Sequence, residues 1–121
     1  MRAKVFQTDC SNEYFTEERC HILEISNSPS DEGLSIARAR VEPGVTTAVH
    51  RVVDTVERYV ILRGSGRVEV EGVEPTVVGP NDVVVIPQGA TQRITNTGDV
   101  DLIFLAICTP RFLAENYEHL D

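Results

Sequence analysis

The chain predicts an all-β fold, an antiparallel sandwich or barrel, and three observations carry that prediction. Between about Leu34 and Cys108 the sequence is a run of short strand-like segments broken by Gly, Pro, Asn and Asp. No interior segment has helical periodicity long enough to supply a crossover, which removes the alternating parallel-sheet architectures. The 121 residues, 41% apolar and 25% charged, suit one globular domain over 1–121, its core in 34–108.

The elements justify themselves in order. His21–Ile25 is the best strand of a first third that is otherwise less regular, and the loop from Asn27 ends at Gly33. From Leu34 to Val41, Ala37, Ala39 and Val41 share one side, and Arg38 and Arg40 the other. Pro43-Gly44 stops that strand, and Thr47–Val53 is the next extended piece. Glu57–Leu62 and Arg67–Val70 flank Gly64-Ser65-Gly66, a hairpin signal because glycine reaches positive φ without a Cβ clash. Gly79-Pro80-Asn81-Asp82 turns the chain into Val83–Ile86, which is apolar on both faces and should be covered twice. Gln92–Thr95 is short, Asn96-Thr97-Gly98-Asp99 turns again, and Leu102–Cys108 is the most apolar strand. Thr109 as a cap and Pro110 at a first helical position predict a short C-terminal helix over Arg111–Leu120.

Charge narrows the partners. Nineteen acidic against eleven basic residues give a formal charge of -8, which argues against nucleic acid and against an anionic membrane surface. The longest apolar run is far short of a membrane span, and no signal-peptide pattern stands at the start. Cys10, Cys20 and Cys108 form no CxxC pair, so the expectation is a reduced, cytoplasmic protein with small buried or idle thiols.

In a small barrel, alternate side chains of each strand point into the lumen. Alternation places His50 with Val52, Glu57 with Tyr59 and Ile61, and Gln92 with Ile94 on inward faces. Polar groups among apolar neighbours need a role. Imidazole nitrogen, carboxylate oxygen and amide oxygen are all ligand atoms for a divalent ion. Arg51, Arg58 and Arg93, one residue away from each, should point outward.

At these residues the sequence resembles the cupin superfamily. The first cupin motif falls on Gly44, His50, Glu57 and Gly64, and the second on Pro87, Gly89 and Asn96. The resemblance implies an antiparallel jelly-roll barrel holding one small ligand at its mouth, and a homodimer. It implies a metal set of three histidines and one glutamate, from which this chain departs: Val52 and Gln92 stand at two histidine positions, and Asn81 at the second motif's glycine. Two functional readings follow. In one, His50, Glu57 and Gln92 hold a divalent ion (Mn, Fe, Mg, Ni or Zn), with Glu57 as a base and Tyr59 orienting substrate in a dioxygenase- or isomerase-like reaction. In the other, the same residues hydrogen-bond a small ligand with no metal, and the protein is a non-catalytic binder or sensor.

Overall fold

The structure is a computed structural model describing residues 1–121. It has eleven strands: β1 (Tyr14–Phe15), β2 (His21–Ser26), β3 (Ser35–Val41), β4 (His50–Val52), β5 (Val56–Arg63), β6 (Gly66–Val70), β7 (Thr76–Val78), β8 (Val83–Ile86), β9 (Gln92–Asn96), β10 (Leu102–Thr109) and β11 (Tyr117–His119). They form two facing antiparallel sheets, one ordered β1-β2-β3-β10-β5-β8 and the other β11-β4-β9-β6-β7. The all-β class is the one the turn spacing predicts, and the jelly-roll arrangement is the one the resemblance implies.

The registers fix which side chains meet. β10 runs between β3 and β5, with Phe104 opposite Ala39 on one side and Ile61 on the other. In β5 the inward residues Glu57, Tyr59 and Ile61 alternate with the less buried Arg58 and Val60, as the pattern predicted. In β9 the buried set is Gln92, Ile94 and Asn96. Ile61, Ile94, Leu102 and Val41 are fully enclosed and form the apolar end of the barrel. The polar residues Glu57, His50 and Gln92 lie toward the other end.

Two turns hold the sheets in place. Gly64 has φ +87°, and a Cβ there would sit 2.8 Å from the Asp101 carbonyl oxygen, so the β5–β6 turn requires glycine. Asn96 donates from Nδ2 to the carbonyls of Val41 and Val100, both at 2.8 Å, and accepts from the Gly98 amide at 2.9 Å. The asparagine of the second motif is therefore a latch between three chain segments.

Three sequence expectations are refined. The helix expected over Arg111–Leu120 shrinks to one 3-10 turn, Ala114–Asn116, followed by strand β11. The physical reason is the open edge of β4, whose backbone groups pair with β11, Tyr117 opposite Val52 and His119 opposite His50. β8 is covered on one face only: it is an edge strand, with Val83 57% and Val85 56% exposed. Of Thr47–Val53, only His50–Val52 is strand.

The three outward arginines find outward partners: Arg51 with Glu118 at 2.7 Å, Arg93 with Glu69 at 2.7 Å, and Arg58 donating to Thr109 Oγ1 at 2.8 Å. On the outer face of β3, Arg40 binds Glu13 at 2.6 Å and Asp101 at 3.1 Å, pinning the N-terminal segment to the barrel. The hydrogen bond from Arg40 holds the Glu13 carboxyl below its ordinary 4.5, against a smaller opposing effect of burial.

A depressed carboxyl stabilises the fold above its unfolded pKa, and that contribution disappears as pH falls through the folded value. Glu13→Gln should therefore lower stability at neutral pH by about 0.5–1 kcal/mol, typical of a partly exposed pair. In thermal unfolding followed across pH, the gap between variant and parent should close below 4.5.

Candidate functional site

Local pairing brings the sequence-selected residues together. His50 on β4 lies directly opposite Gln92 on β9, within one sheet. Glu57 and Tyr59 come from β5 in the facing sheet. Gln92 reaches across: its Nε2 donates to Glu57 Oε1 at 2.8 Å, and its Oε1 accepts the Tyr59 hydroxyl. All four residues are buried, Glu57 at 9% exposed and the others below that.

His50 is held from its other side. Its Nδ1 donates to the Ala48 carbonyl at 3.0 Å, which fixes the tautomer with a free lone pair on Nε2. The ring stacks on Tyr117, centroids 5.3 Å apart. Glu18 Oε2 lies 3.5 Å from the same Nδ1.

Glu18 is the residue that sequence reasoning missed. It sits in the turn between β1 and β2, outside both motifs, where its amide donates to Thr16 Oγ1 at 3.2 Å. The Ala48 amide donates to the Glu18 carbonyl at 3.0 Å and ties this turn to the entrance of β4. No periodicity marks it, because the contact is made by a loop against a distant loop. Tyr117 and Phe112 were assigned to a helix, so their place in the site was equally hidden.

These side chains surround two small cavities of about 60 Å³ and about 130 Å³. The first is lined by His50, Glu57, Tyr59, Phe104 and Tyr117 among others, the second by Glu24, Ser35 and Cys108. Glu18, Glu57 and Phe112 border both.

Burial governs the ionisation here. It raises the Glu57 carboxyl above its ordinary range, partly offset by His50 and by the hydrogen bond from Gln92. Burial also pushes Glu18 up to about 7. The Cys20 and Cys108 thiols are each pushed up to about 12 by burial, so neither is a ready nucleophile.

As folded, the expected metal ligands are engaged with one another and with Tyr59 and Ala48. The Gln92 oxygen that would bind a divalent ion already accepts from the Tyr59 hydroxyl, the amide N–H group is turned to Glu57, and Val52 carries no donor atom. No group of three or more His, Cys, Asp or Glu side chains converges at ligand geometry.

The comparisons with known proteins come from three directions. A family model described as "Cupin domain" matches residues 37–108. An oxalate-binding protein of Thermotoga maritima is 30% identical over 90 residues, 74% of this chain and 73% of that one. A mannose-1-phosphate guanylyltransferase of Salmonella typhimurium is 29% identical over 85 residues, 70% of this chain, and the match spans only 18% of that enzyme's length. Among solved structures, a nucleoside dehydratase superposes with a TM-score of 0.78 at 14% identity, covering 97% of this chain and 92% of its own. No helix here is long and apolar enough to cross a membrane.

The hydrogen-bonded chain makes a stability prediction. Tyr59→Phe leaves the Gln92 oxygen unpaired and should cost about 1–2 kcal/mol, while Gln92→Leu leaves both Tyr59 and Glu57 short and should cost about 2–4 kcal/mol. In urea unfolding the double variant should fall short of additivity by about 1 kcal/mol. Additive losses would show that the two residues do not bond.

Proposed function

This chain belongs to the cupin family, and from that premise we propose that it binds one small polar organic molecule at the barrel mouth and moves a proton on it. The observation that carries this reading is the pairing of two proton-handling groups across one cavity. Glu57 presents Oε2 from one sheet, and His50 presents an unbonded Nε2 from the other. His50 Nε2 can accept a proton and the Glu57 carboxyl can exchange one, which is the equipment of an isomerase-like reaction. Tyr59 and Gln92 keep the Glu57 carboxylate aimed at the cavity. Without a reactive substrate the same arrangement is a binder, the alternative that the sequence left open.

A divalent ion on His50, Glu57 and Gln92 is the second reading. What favours it is the anchored Nδ1 of His50, the usual support behind a ligating imidazole. It requires Gln92 to exchange the Tyr59 hydroxyl for the ion. The ion, Mn, Fe, Ni or Zn, would supply the Lewis acidity or dioxygen binding that a dioxygenase needs.

Metal analysis of protein purified without chelator separates the two. Under the first reading the protein carries well under one ion per chain, and His50→Ala does not change that content. One equivalent per chain, lost in His50→Ala, would overturn it in favour of the metal.

The homodimer belongs to the same proposal. β8 is an uncovered edge strand, Val83-Val84-Val85-Ile86, with no charge to discourage pairing, and an edge of this kind suits its own twofold copy. Sedimentation should give about twice 13.4 kDa at micromolar concentration, and Val85→Lys should return the single-chain mass. A parent protein of single-chain mass would refute the dimer.

A further inference from the structure

The open polar atoms of the two cavities are mostly acceptors, with the hydroxyls of Tyr14 and Thr47 the donors among them. His50 is only 4% exposed, and its Nε2 has no partner within the chain. It is not sealed in, since Arg38 Nε alone is buried without a partner, so Nε2 opens onto the cavity that the residue lines. With Nδ1 donating to Ala48, Nε2 is an acceptor. Glu57 Oε2 is unpartnered in the same way, and Oε1 already accepts from Gln92. Glu18 borders both cavities with one carboxylate oxygen unbonded, and Glu24 stands at the exposed rim with neither oxygen bonded.

Against these acceptors the walls hold no Lys or Arg. The arginines nearest in sequence to His50, Glu57 and Gln92 are spent on the outer surface, on Glu118, Thr109 and Glu69. A carboxylate or phosphate entering here would meet carboxylates and a lone pair, with no cation to offset its lost hydration. The remaining wall is apolar and partly aromatic: Phe104 packs on Tyr59 with centroids 4.4 Å apart, Phe112 and Tyr117 line the same cavity, and Ile22, Ala39, Val52 and Ala106 fill between them. Ring faces and carboxylates together favour a positive charge on a short hydrocarbon.

Resting on the reading of this cavity as the ligand site, we propose that the ligand is a small primary amine, bound as its ammonium. Its N–H groups donate to Glu57 Oε2, His50 Nε2 and Glu18, its charge drawing both carboxyls into the ionised form that burial alone disfavours, and its carbon chain lies along Phe104, Phe112 and Tyr117. The pocket thus selects a cation, where the oxalate-binding relative takes its name from a dianion.

The test uses three probes that share one carbon chain, n-butylamine, n-butanol and sodium butyrate, titrated at neutral pH into the full-length chelator-dialysed protein. Backbone amide shifts around β4, β5 and β9 report binding. Butylammonium should bind at least about tenfold tighter than butanol or butyrate. Glu57→Gln and, separately, Glu18→Gln should each remove most of that preference, and Glu115→Gln on the exposed surface should leave it intact. The proposal is overturned if butyrate binds as well as butylammonium, if butanol matches it, or if both glutamate variants keep the preference. Butanol or butyrate moving the pocket amides while butylammonium does not would sink the amine and spare the reading of the pocket. If none of the three moves those amides, both readings fall.

Discussion

One side chain joins the two sheets at the functional end of the barrel. Gln92 leaves β9 of the five-stranded sheet and engages both Tyr59 and Glu57 on β5 of the six-stranded sheet. A buried amide has two N–H donors and an acceptor oxygen, and in an apolar lumen each needs a partner. That requirement fixes the orientation of Tyr59 and Glu57 relative to each other, and with it the direction in which Glu57 Oε2 faces. Gln92 does this with the two ends of one amide, its N–H group on Glu57 and its oxygen on Tyr59. The departure from the family motif is thus accommodated by a different hydrogen-bond arrangement, and the site keeps its polar character.

The surroundings amplify that geometry. The apolar end, packed from Ile61, Ile94, Leu102 and Val41, keeps water from reaching the network from below. Burial then weights the carboxyls of Glu57 and Glu18 toward their neutral forms, while ordinary arginines are kept outside on their own acidic partners. The result is a small cavity lined by acceptors and rings with no fixed cation. The N-terminal segment completes it. Arg40 and Glu13 fasten that segment to the outer face of β3, and the turn carrying Glu18 is fastened to the entrance of β4 by the Ala48 amide.

Much of this was legible beforehand. Strict alternation in Glu57–Leu62 and Gln92–Thr95 told which side chains enter the lumen, because the side-chain period of a strand is two. His50, Glu57, Tyr59 and Gln92 all meet for that reason. The outward aim of Arg51, Arg58 and Arg93 followed from the same period. The C-terminal segment was misread because Phe112, Leu113 and Tyr117 have spacing that suits a helix, while the open edge of β4 offered backbone hydrogen bonds to a strand. Val83–Ile86 looked doubly covered because composition does not distinguish a central strand from an edge.

By itself the sequence determined the all-β class, the turn positions and the inward set of polar residues, since those depend on local backbone sterics and on alternation along one strand. Only the tertiary structure decided what the inward residues do. Whether the Gln92 amide meets a metal or a tyrosine depends on the spacing of two sheets. Whether Glu18 joins the site depends on where one turn packs against another, and no pattern along the chain records either distance.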